Sequence, residues 1–151
     1  MKYFLIVLTV LVFTSARAQT AEDSVKAVIS NLFTAMKNAD GAMLKNCFSD
    51  SAVLQTIAKN RAGAMVVMTT PVQNFADQIS KSVPGALDER ISFETVKIDG
   101  PLAIAWTPYV FHYNGMISHC GTNSFQLVRF DGLWKIQYII DTRRRDGCSD
   151  Q

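Results

Sequence analysis

The segment LAIAWTPYVFHYNGMISHCGTNSFQLVRFDGLWKIQYIID, residues 102–141, decides the fold of this chain. It contains two dipeptides, Asn114-Gly115 and Asp131-Gly132, and each lies between runs that alternate apolar and polar residues. Because both residues of a tight hairpin turn need a positive φ, Asn-Gly and Asp-Gly are the strongest short signals for a β-hairpin. The segment therefore predicts three successive antiparallel strands, at 102–113, 116–129 and 133–141.

The two turns also predict which side chains share a face of the sheet, because directly opposed residues of antiparallel strands lie on the same side. Counting outward from the turns gives a mainly apolar face, which we expect to pack against helices: Ile104, Trp106, Val110, His112, His119, Asn123, Phe125, Leu127, Ile136, Tyr138 and Ile140. The other face is half polar and is expected to meet solvent or a second subunit: Thr107, Tyr109, Ser118, Thr122, Ser124, Gln126 and Gln137.

The chain before this segment is mainly helical in pattern. Between Thr20 or Ala21 and Asn38, apolar residues recur every three or four positions, which is typical of an amphipathic helix. A short helix is predicted at 42–48 and a third at 71–82, with strands at 52–57 and 91–98. Helices before strands indicate an α+β domain, in which three N-terminal helices cover one face of an antiparallel sheet.

The N-terminus has the order of a secretory signal. Lys2 supplies a positive charge, residues 4–13 are apolar apart from Thr9, and Ala16-Arg17-Ala18 offers small residues for cleavage. The apolar run is shorter than the ~20 residues that a membrane span needs. We therefore predict a signal peptide at 1–18 and a single domain at 19–151 that is periplasmic or secreted, with no membrane attachment after cleavage.

The charge balance of the mature chain bears on which classes of partner it can bind. Without Lys2 and Arg17, the mature chain has 13 basic and 13 acidic residues. This neutral balance argues against nucleic acid as a partner, and the run at 143–145 is expected to be a solvated tail.

Three cysteines in an oxidising compartment allow one disulfide. We predict that it joins Cys120 to Cys148, because the tail can fold back after the last strand. Cys47 has apolar neighbours and is expected to be a buried thiol. The Cys and His spacing predicts no metal site, and no cofactor is expected.

Several motifs resemble the nuclear-transport-factor-2-like superfamily, which includes polyketide cyclase-like proteins and steroid isomerases. A long first helix ends in Ala39-Asp40-Gly41, and FSDSAVL follows at 48–54. The motifs WTPY, SHCGTN, WKI and DTRR, at 106–109, 118–123, 134–136 and 141–144, are more narrowly similar to secreted bacterial members labelled lumazine-binding proteins. The resemblance implies a cone, in which helices close a bent sheet and leave a pocket.

The resemblance to steroid isomerases does not extend to their catalytic groups. Those enzymes use a carboxylate base, a tyrosine donor and a protonated aspartate, whose carboxyl group is held neutral by an apolar site. The matching positions here are Thr56, Leu32 and Asn123. Only Asn123 can still donate a hydrogen bond in its role, so the isomerase activity is not expected.

The predicted pocket residues, for a small-molecule ligand, are Asn123, Trp106, His119, His112, Tyr138 and Thr56. Each has a second interpretation: the asparagine could bind a neighbouring backbone group, and the histidines and aromatic residues could simply be core. Glu94 would enter the pocket only with one of two possible lengths of the turn at 99–101. Arg61 could cover the mouth, and the methionines of 65–68 could form an adaptable wall.

Three functions are consistent with these residues. We prefer a periplasmic or secreted domain that binds a small, mostly apolar molecule. The second is a lyase or isomerase that uses His119 or Glu94 as base and Asn123 as donor. The third is a dimerising scaffold, a homodimer whose interface includes the aromatic row Tyr109, Phe111 and Tyr113.

Overall fold

The computed structural model describes residues 20–149, so the predicted signal peptide at 1–18 lies outside the described residues. The described part of the chain forms three helices and seven strands, which confirms the α+β class. In chain order these are α1 (Ala21–Lys37), α2 (Gly41–Asn46), β1 (Phe48–Lys59), β2 (Met65–Thr70), α3 (Val72–Ser80), β3 (Leu87–Ile91), β4 (Thr95–Asp99), β5 (Leu102–Tyr113), β6 (Met116–Phe130) and β7 (Leu133–Arg144).

Local sequence sets the bounds of α1. Thr20 and Asp23 form a capping box, in which each side chain accepts a hydrogen bond from the other residue's backbone N–H. Such reciprocal bonds satisfy the free N–H groups of the first turn. The apolar stripe predicted from the sequence is Val25, Val28, Ile29, Leu32, Phe33 and Met36; all of it is buried except Val28, which is half-buried, and Ala35 is buried as well. Asp40 then caps α2 by accepting a bond from the N–H of Met43 at 2.8 Å.

The sheet is mixed, whereas the sequence predicted an antiparallel one. Its strand order is β2-β1-β7-β6-β5-β3, and β4 also pairs with β5. The exception to antiparallel pairing is β1 with β7, which run parallel from Phe48 opposite Ile136 to Ile57 opposite Thr142. A parallel pair needs a long connection, and here most of the domain supplies it. Turn signals describe only strands that follow each other in sequence, so they could not predict this pairing.

Two strands were missed or misplaced by the sequence pattern. Residues 65–70 form the edge strand β2, paired with β1 from Thr70 opposite Leu54 to Met65 opposite Lys59. The strand predicted at 91–98 is instead the two strands β3 and β4, and both pair with β5. At the break between them, the N–H groups of Ser92 and Glu94 still bond to the carbonyls of Pro108 and Trp106.

Both predicted hairpins form, but their registers shift. Asn114, Gly115, Asp131 and Gly132 have φ values of 51°, 79°, 47° and 87°, as tight turns of this kind require. Beyond each turn a β-bulge inserts one residue. Ser118 is the extra residue between β5 and β6, and Gln137 is the extra residue between β6 and β7.

A one-residue slip moves side chains to the opposite face of a strand, so the predicted faces are wrong beyond the bulges. His119, Asn123, Phe125, Leu127 and Ile136 lie on the helix-covered inner face as predicted. The outer face instead carries Ile104, Trp106, Val110, His112, Tyr138 and Ile140, and the inner face gains Thr107 and Tyr109. Trp106 and Ile104 are accordingly 46% and 42% exposed. The aromatic row predicted as a dimer interface is therefore not an exposed row: Tyr109 is buried, Phe111 is half-buried and Tyr113 is exposed.

The core lies between the inner face of the sheet and the helices. Phe33 of α1 meets Phe125 of β6 edge to face, with ring centroids 6.2 Å apart. Leu44, Leu127 and Ile136 are fully buried beside them. Within residues 20–149, no helix is long and apolar enough to cross a membrane.

A disulfide ties the C-terminal tail to β6. It joins Cys120 to Cys148, whose Cα atoms are 5.6 Å apart. Cys120 lies on the outer face opposite Arg144. Cys47 is buried as a free thiol, and burial raises the pKa of that thiol to about 11.

Candidate functional site

A cavity of about 280 Å³ opens between α1, α3 and the inner face of the sheet. Eight apolar and seven polar side chains line it, and the polar ones that lie on strands of the sheet are called its floor here. Apolar side chains come from Leu32, Phe33, Met36, Leu54, Met68, Phe75, Phe125 and Ile139. Polar side chains come from Thr56, Thr70, Gln78, Glu89, Asn123, Asp141 and Arg143. Small-molecule sites are usually concave and combine apolar side chains with polar groups at fixed positions, and this cavity has both.

The floor is centred on Glu89 and Asn123. Nδ2 of Asn123 donates a hydrogen bond of 2.9 Å to Oε1 of Glu89. Glu89 lies on β3 and Asn123 on β6, and β5 runs between them. Thr107 of β5, directly opposite Asn123, is fully buried and small enough for the two longer side chains to meet across it.

A second acidic group, Asp141, lies on the neighbouring strand β7, directly opposite both Asn123 and Thr56. Thr56 Oγ1 donates to Asp141 Oδ1 at 2.6 Å. The hydroxyl of Tyr109 is 3.3 Å from Oδ2, and Nη2 of Arg143 is 3.7 Å from the same oxygen. A carboxyl group therefore lies one hydrogen bond away from Thr56.

Burial perturbs the acidity of both carboxyl groups. It raises the pKa of Glu89 to about 7, and the charge of Asp141 raises it further while the bond from Asn123 opposes the shift. Burial also raises the pKa of Asp141, against the hydrogen bond from Thr56 and the charge of Arg143. The charge of the floor therefore changes near neutral pH, at Glu89.

Gly121 of β6 leaves the space in which the ring of Tyr109, from β5, lies next to β7 and reaches Asp141. A Cβ atom at this position would lie 1.8 Å from the carbonyl oxygen of Thr142 and 2.8 Å from Cε1 of Tyr109. The Tyr109 hydroxyl is also 3.0 Å from that carbonyl oxygen of Thr142. Only glycine permits so close an approach of the backbone and the ring.

A second cavity, of about 300 Å³, adjoins the first. Both are lined by Met36, Phe75, Gln78, Glu89 and Arg143, so Glu89 lies where the two meet. The second cavity also contacts His119, whose ring is 4.7 Å from that of Phe111. Burial, with the charges of Arg143 and Arg145, lowers the pKa of His119 to about 4. His119 is therefore neutral at pH 7.

The structure brings half of the predicted pocket residues together. Asn123 and Thr56 line the first cavity and His119 lines the adjoining one. Trp106, His112 and Tyr138 do not line either, because the bulges turn them to the outer face. Tyr138 instead donates a 2.7 Å hydrogen bond to Gln55, and His112 is buried opposite Asp88 of β3.

The structure also shows where the residues lie whose position relative to the pocket the sequence did not decide. Glu94 is exposed on the outer face, near Pro108 and Cys120, and so does not enter the pocket. Arg61 is exposed in the turn between β1 and β2. Of the methionines at 65–68, Met68 lines the cavity and Met65 does not.

Sequence reasoning missed Glu89, which is the central group of the floor. A signal was available, because Leu87 and Ile91 are apolar at alternate positions and Glu89 falls between them on the same face of a strand. The three successive charges at 88–90 hid this alternation. Asp88 and Arg90 point to the other side and form an ion pair at 3.2 Å.

No group of three or more potential metal ligands is present in the described part of the chain.

Solved structures share this fold at low sequence identity. A nuclear-transport-factor-2-like protein of unknown function from Shewanella baltica OS155 is 19% identical, with a TM-score of 0.64, over 80% of this chain and 91% of that one. A similar protein from Methylobacillus flagellatus KT is 18% identical, with a TM-score of 0.62, over 81% and 90%. A domain with a cystatin-like fold from Nostoc punctiforme is 18% identical, with a TM-score of 0.64, over 84% and 80%.

These likenesses show the fold, which confirms the cone-shaped sheet closed by helices. No curated protein matches the sequence. A family model does match, over residues 20–138, and its description is "Putative lumazine-binding". The match includes every helix and the strands up to Tyr138, and so covers most of both cavities. The chain therefore belongs to this family, and it has the nuclear-transport-factor-2-like fold.

Proposed function

We propose that the mature domain binds a small, mostly apolar molecule whose polar group reaches Glu89 and Asn123. The observation that carries this proposal is the cavity of about 280 Å³ with an apolar wall and a polar floor. Three phenylalanines, Phe33, Phe75 and Phe125, line it and suit a ring system. Six of the seven polar lining side chains lie on strands of the sheet, and Gln78 lies on α3; the group on the sheet would fix the orientation of the ligand.

We also propose that the domain works in the periplasm or outside the cell, after removal of residues 1–18. The disulfide between Cys120 and Cys148 supports this location, because such bonds persist in oxidising compartments. N-terminal sequencing of the protein from its own host tests it. A mature chain that begins at Gln19 in the periplasmic or culture fraction is expected, and an uncleaved chain in the cytoplasm would contradict it.

The binding proposal is tested by native mass spectrometry of the domain purified from its host. We expect an added mass that is lost on denaturation. Leu54→Trp fills the cavity and should abolish that mass, because Leu54 is part of its wall. Ile104→Trp, a matched change on the exposed outer face, should keep it. A bare mass for the wild type, together with no stabilisation by any compound of a fragment library, would overturn the proposal.

Lumazine is one probe to titrate, because the family description names it. The proposal does not depend on lumazine, since a carboxyl, an amide and a hydroxyl suit many polar groups. The bound mass from the host protein identifies the ligand without that assumption.

A second candidate function is acid–base catalysis, of a lyase or isomerase kind, with Glu89 instead of His119 or Glu94 as the acid–base group. The observation that favours it is the pKa of Glu89, raised to about 7 in a cavity, since a catalytic acid or base works best near the operating pH. If Glu89 catalyses a reaction, wild type and Glu89→Gln should carry chemically different molecules. If both proteins carry the same molecule, catalysis by Glu89 is rejected and binding is the function that remains.

A further inference from the structure

We propose that the ligand of this pocket is an organic cation, with a ring-containing apolar body and a protonated amine or amidine that pairs with Glu89. This inference rests on the proposed binding function and names its ligand class. The feature that supports it is an acidic side chain at the junction of two cavities, beside aromatic walls and without a paired cation among the residues that line them.

The negative and positive charges of the residues that line the two cavities are not equal in number. Among the described residues that line them, the ionisable ones are Glu89, His119, Asp141 and Arg143. His119 is neutral above a pKa of about 4. Arg143 lies 3.7 Å from Asp141 and so offsets that carboxylate. The charge of Arg143 also acts on Glu89 and opposes the rise of its pKa. When both carboxyl groups are ionised, two negative charges face the one guanidinium, and a ligand cation at Glu89 would balance the remaining negative charge.

Glu89 also has unused capacity for hydrogen bonds. An ionised carboxylate offers about four acceptor positions. In the described part of the chain, Asn123 supplies one donor, to Oε1. An ammonium or amidinium group brings two or three N–H donors, which matches the free positions on this carboxylate. A neutral alcohol brings one donor and no charge.

The aromatic lining supports the same ligand class. Phe33, Phe75 and Phe125 come from α1, α3 and β6, so they surround the cavity from three elements. Phenylalanine faces attract cations, and this attraction grows as the cation loses its water. The same rings would contact the apolar body of the ligand.

Arg143 does not make the pocket an anion site. Its side chain is 47% exposed, and its guanidinium pairs with Asp141, on the same strand and the same face. A ligand carboxylate at Arg143 would have to compete with that aspartate and would also meet Glu89. The arrangement therefore selects against anions when Glu89 is ionised.

The preference should depend on pH through Glu89. The groups that face it are Asn123 and His119 from β6, Asp141 and Arg143 from β7, and Tyr109 from β5. Helices α1 and α3 contribute only uncharged side chains to the cavities. Because the pKa of Glu89 is raised to about 7, the carboxylate is mostly formed at pH 8 and mostly protonated at pH 6.

The test uses three probes with one ring system: 2-aminoindane, 2-indanol and indane-2-carboxylate, titrated calorimetrically into the mature domain. At pH 8 we expect the amine to bind at least about tenfold more tightly than the alcohol, as one charge-assisted bond implies, and the carboxylate to bind most weakly. At pH 6 the difference between amine and alcohol should shrink. Glu89→Gln should remove the difference at both pH values. Glu94→Gln, the same change at an exposed site, should retain it.

A second readout follows the proton. At pH 7 about half of Glu89 is protonated in the free protein, so binding of the amine should release about half a proton. Titration in two buffers with different heats of ionisation measures this release. The alcohol should release none, and Glu89→Gln should show none with either probe.

The outcomes separate this inference from the proposed function. Equal affinities for amine and alcohol at pH 8, or the tightest binding for the carboxylate, would overturn the inference and leave the binding function standing. Failure of all three probes to bind at millimolar concentration, with Glu94→Gln and wild type both folded, would overturn both. Retention of the amine preference in a folded Glu89→Gln variant would also overturn the inference, because the cation would then pair elsewhere.

Discussion

Nδ2 of Asn123 lies 2.9 Å from Oε1 of Glu89, and the two residues are 34 positions apart on strands that do not touch each other. The contact depends on the bulge at Ser118, which places Thr107 directly opposite Asn123. The small Thr107 side chain then leaves room for the amide and the carboxyl group to meet over β5. A bulge roughly 15 Å away along β6 thus decides which polar groups form the floor of the pocket.

Replacing Asn123 with leucine should raise the pKa of Glu89 above 7. The hydrogen bond from Asn123 favours the ionised carboxyl group, and its loss should shift the pKa upward by about one unit. A ¹³C NMR titration of the Glu89 carboxyl carbon measures this shift. Ser124→Ala, a change at the next residue on the outer face, is the control. An unchanged pKa in the leucine variant would mean that the bond contributes nothing in solution.

Glu89 should make the protein less stable as the pH rises. Its pKa is about 7 in the folded state against 4.5 for the free group, so the folded state holds more protons between these values. The free energy of unfolding should therefore fall through that window, by up to about 3 kcal/mol from this group. Urea unfolding at pH 4.5, 6 and 8 measures the fall.

The Glu89→Gln variant isolates this contribution. It should lack this part of the pH dependence and be more stable than the wild type at pH 8. Glu94→Gln should follow the wild type, because Glu94 is exposed. Parallel curves for wild type and Glu89→Gln would contradict the perturbed pKa.

The sequence predicted the turns better than the faces. Asn114-Gly115 and Asp131-Gly132 have the backbone angles that their composition requires, because a two-residue turn is a local feature. Ser118 and Gln137, the extra residues of the two bulges, have no compositional mark. A bulge forms where the sheet must bend to close over the helices, and that requirement comes from the whole domain.

The same division holds for the site. The prediction that Asn123 lies on the inner face is correct. The two bulges shift β5 and β7 by one residue relative to β6, and they leave Asn123 on the face of β6 that the helices cover. Trp106 and Tyr138 were misplaced because they lie on the strands that shift relative to β6. Asp141 joins Thr56 only through the parallel pairing of β1 with β7, which turn signals do not report.

Replacing Gly121 with alanine should destabilise the domain and disturb Asp141. The added Cβ would overlap the Thr142 carbonyl and touch the Tyr109 ring. Overpacking against backbone costs about 1–3 kcal/mol, and here the strand cannot move without breaking the pairing of β6 with β7. Urea unfolding measures the loss. Thr122→Ala, at the adjacent position, should change stability by less than half as much, and an unaffected Gly121→Ala protein would contradict the close approach.

The thiols should report the disulfide directly. The chain has three cysteines, of which Cys47 is buried and free and the other two are bonded. A thiol reagent should therefore detect no reactive thiol in the native protein at pH 8, one after unfolding in urea, and three after reduction. The raised pKa of Cys47 adds to its protection, because the thiolate is the reactive form. Three thiols in the unreduced, unfolded protein would show that Cys120 and Cys148 are not joined.

The two tryptophans should respond differently to a quencher in solution. Trp106 is 46% exposed on the outer face, and Trp134 is 5% exposed beneath α1 and α2. Acrylamide should therefore quench Trp106 strongly and Trp134 weakly. Trp106→Phe and Trp134→Phe variants assign each signal, and Trp134 should emit at the shorter wavelength because its ring is buried. If Trp106 were shielded at high protein concentration and became accessible on dilution, the outer face would be covered by a second copy of the chain. Shielding at every concentration would instead contradict the position of Trp106 on the outer face.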